Sequence, residues 1–394
     1  MKKLFSVLAV VILTLCTNLY SQEANVPDVY LLTCGPGNET YSRWGHSALR
    51  IVDHAAGTDR VYNWGVFDFS TPAFAWKFAR GRLEYMLGVT TYERFIQEYF
   101  MEGRWVQSQK INLESHEIGK MLLLIEENMK PENIKYRYDF FYDDCTTRIR
   151  DLLENSIGGG MVYPPDIDGD PPTFRFMVNK YLQTAPWLNA GIDLLMGIPG
   201  NKKASLRERM FLPVDMQEGL SDIVVNRGGK MIPLLRNPET VLESTLKGEK
   251  PKFFTSPVVV FSLLLILIII ASAVIRGKRA NRVFDIIIFT IFSVFALLMI
   301  FFNFFTGHQQ MKMNLNIIWL SPFIILCLIS LLLNKNWHIW FRIVFILNII
   351  WFIILLIFPA SSNNAFMPLS LILAVRSSVR SEYKWNPLSL EEEF

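Results

Sequence analysis

The sequence predicts an α+β exported domain followed by a C-terminal α-helical transmembrane bundle. Three observations lead there. Residues 22–250 are an ordinary mixture of polar and apolar side chains, whereas residues 257–375 are dominated by Leu, Ile, Phe and Val. Within the first part, short runs with strand-like alternation are interleaved with runs of helical period. The N-terminus has the layout of a secretory signal. At 394 residues the chain is too long for one ordinary domain, and a mean hydropathy of +0.26 is high for a soluble one.

Lys2 and Lys3 give a charged start, Leu4 to Leu15 a short apolar core, and Leu19-Tyr20-Ser21 a small residue for cleavage before Gln22. Residues 1–21 are therefore expected to be a signal peptide. Cys16 offers a lipoprotein signal instead, but Leu15 is too large for the position before such a cysteine. An uncleaved anchor is the third option. In every version the domain that follows leaves the cytoplasm.

That domain is expected to span 22–160. Val29–Thr33 reads as an apolar strand, stopped by the turn residues Cys34-Gly35-Pro36-Gly37-Asn38. Ser47–Val52 alternates, Asp53 to Asp59 is a polar turn, and Arg60–Phe69 resumes as a strand, so the two form a hairpin with His46 near its open end. Ala73–Arg80 and Thr91–Phe100 read as helices and Trp105–Asn112 as a strand. Glu114–Asn128 is a helix with Ile118, Met121, Leu122 and Ile125 on one face. The aromatic stretch Tyr136–Phe141 leads to a helix starting near Asp143 or Asp144, with Ile149, Leu152 and Leu153 on its apolar face and Gly158-Gly159-Gly160 as its stop.

Residues 161–256 form a juxtamembrane extension of short amphipathic helices, among them one capped by Ser205 and Glu208. Phe211, Leu212 and Met216 either lie on the bilayer surface or close the domain core. Beyond it, four apolar segments approach spanning length: 257–275, 284–305, 315–333 and 340–358. A hydrocarbon core of ~30 Å needs ~20 helical residues. A fifth segment, 366–375, is short and either spans or inserts partly. The helical region is thus expected over 257–377, with a cytoplasmic tail over 378–394.

Loop charges agree with an exported first domain. Arg276, Lys278, Arg279, Arg282, Lys335 and Arg342 fall on one side, joined by Arg376, Arg380 and Lys384 if the fifth segment crosses. The opposite loops, 306–314 and 360–365, carry only Lys312. By the positive-inside rule the first side is cytoplasmic. The expected location is the inner membrane, with the soluble domain in the periplasm.

Two short stretches carry chemistry. Tyr41-Ser42-Arg43-Trp44-Gly45-His46-Ser47 and Phe141-Tyr142-Asp143-Asp144-Cys145-Thr146-Thr147 place a histidine and a cysteine about 100 residues apart in the exported domain. A thiol in the first turn of a helix meets the positive end of the macrodipole and unpaired N–H groups, which favour thiolate and can receive an oxyanion. A histidine on a nearby strand can take the proton and later deprotonate an acceptor. Cys145 and His46 fit these roles. Asp143 and Asp144 cut both ways: either would cap the helix, yet a carboxylate beside a thiolate raises its pKa. Asp68, on the strand opposite His46, is the candidate to orient the imidazole, with Asn63 as runner-up, and a register slip would change the choice. Tyr41, Ser47 and Thr146 are candidate oxyanion or substrate contacts. A nucleophile and base held against a bilayer suggest chemistry on a lipid acyl chain.

Each residue also has an ordinary reading. Cys34 and Cys145 are the two cysteines of the exported domain beyond the signal region, and an oxidising compartment permits a bridge between them. A lone histidine is more often a core or surface residue than a base. His54, in a turn, and His116, on a charged helix face, read as bystanders, and His308 as an interfacial side chain of the second exported loop. The sequence has no CxxC, HExxH or clustered His/Asp set, so neither a metal nor a cofactor is expected. With no nucleotide fingerprint and a net charge of +3, no nucleic-acid partner is expected either.

Thr33-Cys34-Gly35-Pro36-Gly37, Tyr41 to Ile51, Tyr62-Asn63-Trp64-Gly65-Val66-Phe67-Asp68-Phe69 and Asp144-Cys145-Thr146-Thr147-Arg148-Ile149-Arg150-Asp151 resemble an exported-domain family of Gram-negative bacteria that includes the Lnb-type lipoprotein N-acyltransferases. The specific motifs end near residue 155; beyond, the resemblance lies in the trailing membrane helices. The His-then-Cys order, the reverse of papain, is also similar to the circularly permuted branch of the NlpC/P60 papain-like fold, which includes lecithin:retinol-type acyltransferases. There the nucleophile commonly follows Asn, whereas here it follows Asp144. The resemblance implies that Cys145 is the nucleophile and His46 its base. It implies a reaction in which an acyl chain passes from a membrane phospholipid through a Cys145 thioester to the α-amine of a diacylglyceryl-cysteine lipoprotein. Two competing functions remain at this level: a periplasmic NlpC/P60-like peptidase or amidase acting on cell-wall peptides, for which so many membrane segments are excessive, and a non-enzymatic membrane scaffold with a Cys34–Cys145 disulfide.

Overall fold

Seven antiparallel strands organise the first part of the molecule. The computed structural model describes residues 26–165, 169–248, 253–359 and 362–381; the expected signal peptide and the residues beyond 381 lie outside them. The chain divides into two compact units, one of Met1–Phe74, Leu83–Pro171 and Ala204–Lys247, the other of Ala75–Arg82, Pro172–Lys203 and Gly248–Phe394. The juxtamembrane extension is therefore shared between the units rather than standing as a domain of its own.

In the first unit the strands are β1 (Asp28–Cys34), β2 (His46–Asp53), β3 (Thr58–Val66), β4 (Glu84–Thr91), β5 (Val106–Lys110), β6 (Lys135–Arg137) and, after the two-residue β7 (Met161–Val162), β8 (Val224–Arg227) and β9 (Lys230–Pro233), the last strand β10 (Glu239–Leu242). The main sheet runs β10-β5-β1-β2-β3-β4-β6, and β7-β8-β9 make a small second sheet. The expected β2–β3 hairpin forms because its turn is built locally. Asp53 Oδ1 accepts from the N–H groups of Ala55 and Ala56, both at 2.9 Å, and Gly57 takes a φ of +62°. Arg50 then grips Asp59 across the hairpin with two bonds of 2.8 and 2.6 Å.

Helix α1 (Tyr92–Glu102) covers one face of the sheet, where Phe95 and Tyr99 pack on Leu32, Cys34, Ala48, Val61 and Val106. Helices α2 (Ser115–Met129) and α3 (Cys145–Ile157) cover the other, where Met121, Ile125, Ile149 and Leu153 pack on Leu31, Leu49 and Ile51. The period-2 alternation of β1 and β2 feeds both layers. Each such fully buried aliphatic side chain contributes about 1.5–3 kcal/mol. Helix α4 (Pro213–Ser221) joins the second layer through Met216 and Leu220. Phe211, Leu212 and Met216 are fully buried, so they close the core and do not lie on the bilayer. The Ser205–Glu208 capping box forms as expected, although the helix it starts is only Leu206–Arg209. Strands β4 and β6–β10 add sheet where the sequence pattern suggested none or suggested helix.

Among the described residues of the second unit three helices are long and apolar enough to cross a membrane: α5 (Pro257–Val274), α6 (Lys278–Phe304) and, after the ten-residue α7 (Phe323–Leu332), α8 (His338–Ile357). The fifth segment is α9 (Phe366–Arg380), of 15 residues. The expected span over 315–333 is thus shorter than its apolar run: Leu315–Ile317 is a single 3-10 turn, and Pro322, which cannot donate to a helical ladder, stands at the N-cap of α7. Buried polar side chains tie this unit together. Asp193 accepts from Arg175 at 2.7 Å, and Asn316 donates to the carbonyl of Leu194 at 3.1 Å. Trp76 rests on Phe301 at 5.5 Å, Thr306 donates to the carbonyl of Ala79 and His308 reaches the carbonyl of Phe78, so residues 75–82 are seated on the C-terminal end of α6.

Candidate active site

Cys145 is the first residue of α3, and its placement follows from one side chain. Asp144 is the N-cap: its Oδ1 accepts from the N–H groups of Thr146 (2.9 Å) and Thr147 (2.7 Å), and Thr147 Oγ1 accepts in return from the Asp144 N–H at 2.8 Å. Asp143 does not cap; it makes a two-bond pair with Arg148 at 2.6 and 2.9 Å. Burial, reinforced by the neighbouring thiol, pushes the Asp144 carboxyl well above the usual carboxylate range. A neutral carboxyl accepts through its carbonyl oxygen as an asparagine amide would, which reconciles Asp at this position with a nearby thiol.

The thiol stands in a fork between two strands. β2 and β3 pair from Asp53↔Thr58 up to Leu49↔Tyr62, and the paired ladder ends there. A bulge between Asn63 and Val66 and a φ of +91° at Gly65 turn the end of β3. The N–H of Ser47 is left to point at Cys145 Sγ, joined by those of Cys145 itself and Thr146, while Thr146 Oγ1 lies 3.5 Å from the sulfur. On the β3 side, a methyl placed on Gly65 would sit 3.6 Å from Cys145 Cβ. Burial raises the thiol pKa more than these donors lower it, so the resting group is a thiol.

His46 is the residue before Ser47, and its Nε2 meets Asn63 Oδ1 at 3.2 Å. Burial lowers its pKa to about 4, against a smaller upward effect of the Asn63 bond. The site therefore rests as a neutral imidazole and a thiol. Three buried hydroxyls around it, Ser47 Oγ, Thr33 Oγ1 and Tyr136 Oη, have no hydrogen-bond partner. Burying an unmet hydroxyl is costly unless something else answers it.

Of the two orienting candidates, Asn63 is the one in contact with the imidazole. Asp68 is exposed and turned away, holding Ser70 through its N–H (2.8 Å) and hydroxyl (2.7 Å). The actual register sets Leu49 opposite Tyr62, which carries Asp68 beyond the end of β2. Tyr41 is 58% exposed and meets Phe67 edge-on, so it makes no contact with the sulfur, whereas Ser47 and Thr146 do lie against it. Cys34 and Cys145 are free thiols, and they belong to opposite faces of the sheet: Cys34 packs under α1, Cys145 under α2 and α3. His54 pairs with Asp28 at 3.2 Å and His116 with Glu114 at 3.4 Å, both on the surface. Among the described residues no group of acidic, His and Cys side chains could hold a metal ion. Gly65 and Tyr136 are site residues that sequence reasoning assigned no role; the Gly inside a strand-like run was the available signal for the bulge.

Two family models match the chain. That of the Lnb N-terminal periplasmic domain covers residues 19–175, and that of the Lnb transmembrane domain covers residues 248–384. Searches of curated proteins and of solved structures found no match.

Proposed function

Since the chain belongs to the Lnb family and is a membrane protein with a periplasmic N-terminal domain, we propose that it is an inner-membrane, cysteine-dependent lipoprotein N-acyltransferase whose first unit is a permuted papain-like domain. The observation that carries this reading is the Cys145 thiol at a capped helix start with the N–H groups of Ser47, Cys145 and Thr146 turned to its sulfur, beside the strand on which His46 precedes Ser47 and pairs with Asn63. In the first half-reaction Cys145 Sγ attacks an ester carbonyl carbon of a phospholipid. The C–S bond forms, the ester C–O bond breaks, and His46 takes the thiol proton and hands it to the leaving glycerol oxygen. In the second, the α-amine of a diacylglyceryl-cysteine attacks the thioester; the C–N bond forms, the C–S bond breaks, and the amine proton passes through His46 back to sulfur. Each half-reaction is redox neutral and needs no further reactant.

Asn63 holds the imidazole of His46. The N–H groups of Ser47, Cys145 and Thr146 are the oxyanion donors, and Thr146 Oγ1 supports the thiolate as it forms. Both substrates are anchored in the bilayer, and membrane helices confine the encounter to two dimensions, which raises effective concentration.

The purified full chain incubated with phospholipid and no lipoprotein is expected to carry one acyl mass on the Cys145 peptide, removable by neutral hydroxylamine. An unmodified Cys145 under conditions where wild-type cells N-acylate their lipoproteins would sink the thioester route. A second outcome concerns pH. With a folded-state pKa near 4 against an ordinary 6.5, His46 is neutral and competent at pH 7. Its contribution to stability is fully present above about 6.5 and is lost as pH falls through about 4, because protonation favours the unfolded chain over that window. The acid limb of kcat/KM for thioester formation is therefore expected near 4–5; a limb at 6–7 would show an imidazole in an ordinary aqueous setting.

A further inference from the structure

A row of aromatic rings begins at the thiol. The methyl that Gly65 lacks would meet Cys145 Cβ at 3.6 Å and Tyr138 Cε2 at 3.8 Å, so the nucleophile and the Tyr138 ring border the same small space. Tyr138 stacks on Tyr85 with centroids 4.5 Å apart, Tyr85 meets Phe67 edge-on at 5.3 Å, and Phe67 meets Phe69 at 4.9 Å. Phe74 and Tyr41 flank the far end, 5.9 and 6.5 Å from Phe67. Exposure rises along the row. Tyr138 and Tyr85 are partly covered, while Phe69 is 67% exposed and Tyr41 58%. A folding core closes outward with polar side chains; this row instead runs from a buried sulfur to open aromatic rings. The residues that follow Phe74 in the chain, Ala75–Arg82, belong to the membrane unit.

We propose that this aromatic row is the track for the fatty chain, holding the hydrocarbon tail along Tyr85, Phe67 and Phe69 while the carbonyl reaches Cys145. The occupant is an acyl chain because the row is continuous with the nucleophile, is apolar along its ring faces and ends open in a protein with membrane-spanning helices. Conformationally stiff ring faces give an apolar wall, with the Tyr138 and Tyr85 hydroxyls as its polar groups. The inference rests on the acyl-transfer reading and adds to it the residues that select chain length.

The test uses the full-length protein in nanodiscs and two thiol probes, N-ethylmaleimide and N-dodecylmaleimide, with alkylation of Cys145 followed by peptide mass spectrometry. Wild-type protein is expected to react faster with the dodecyl probe. Phe67→Asp should lower the dodecyl-to-ethyl rate ratio about tenfold or more, since several methylenes lose their apolar wall. Phe67→Leu, which keeps an apolar side chain, should retain most of the wild-type ratio, and Phe100→Asp, at an exposed ring on α1, should leave it within about twofold. A ratio that Phe67→Asp does not change, or that Phe67→Leu lowers as far as Phe67→Asp does, overturns the track. Alkylation needs neither donor nor lipoprotein. A protein that shows the chain-length preference but never forms a thioester would sink acyl transfer alone, and one that forms a thioester indifferent to Phe67 would sink the track alone.

Discussion

Cys145→Ala is expected to leave lipoprotein N-termini without their third acyl group, a loss of transfer activity of roughly 10⁴-fold or more. The size follows from what the thiol supplies. It splits a direct ester aminolysis into two steps, and three N–H donors and the Thr146 hydroxyl are arranged around its sulfur. None of these is a nucleophile toward an ester at neutral pH. Cys145→Ser should fall nearly as far, because a neutral imidazole with a pKa near 4 is a weak base for an alcohol. The fold should survive both changes. Helix α3 is capped by Asp144 and packed through Ile149 and Leu153, and alanine removes only one sulfur atom from its first turn. Mass spectrometry of lipoprotein N-termini from cells lacking any other N-acyltransferase reads the outcome. Equal N-acylation by the alanine variant would discard the assignment. A milder variant separates contact from positioning: Asn63→Ala should lower kcat and reshape the pH profile while leaving thiol alkylation intact, because it frees the imidazole without touching the sulfur.

How far the site was legible in the sequence depended on how local its causes are. The cap at Asp144, the helix it starts and the Gly158 stop are set within a few residues, and they form as read. The β2–β3 hairpin is equally local, since Asp53 and Gly57 build its turn. The choice between Asp68 and Asn63 was not local. It required the register, which a turn position uncertain by one residue leaves open, and the bulge at Gly65, whose cause is the approach of Cys145 from another part of the chain. β4 escaped because only Leu87 of its eight residues is fully buried, so Glu84–Thr91 lacks the alternation that marks a half-buried strand. The short α7 escaped for the opposite reason: an apolar run from 315 to 333 has composition enough for a span, and only the polar contacts of Asn316 and Trp319 reveal that its first half is occupied with loops. Tyr41, Phe67 and Phe69 stand in the motifs and Tyr138 in the aromatic approach to α3, but Tyr85 carries no mark in the sequence, and ring-to-ring continuity between β3, β4 and that approach is a tertiary fact.

Asp285→Ala in the membrane unit is expected to cost about 3–5 kcal/mol, through stranding of a buried cation. Asp285 and Arg376 are 0% and 1% exposed, and Arg376 Nε donates to Asp285 Oδ1 at 2.7 Å. Arg376 also reaches Ser272 on α5 at 2.8 Å, and Arg380 Nε donates to Asp285 Oδ2 at 2.6 Å. One acidic residue on α6 thus fastens α9, and through it α5. Sequence reasoning counted Arg376 and Arg380 as cytoplasmic loop charges and passed over Asp285, a lone acid within an apolar run. In a low-dielectric bundle a carboxylate of this kind persists only if paired, and the pair in turn explains why a segment of 15 residues holds two arginines at its end. Removing the acid leaves Arg376 with no counter-charge and no route to water, whereas the partly exposed Arg380 can extend toward the surface. The double variant Asp285→Leu with Arg376→Met should therefore recover more than half of the loss, since two apolar side chains replace the pair without leaving either charge alone. Thermal inactivation in mild detergent distinguishes the cases. A single variant within about 1 kcal/mol of wild type, or a double variant no better than the single one, would mean that the cluster is hydrated and that α9 is held by its apolar face instead.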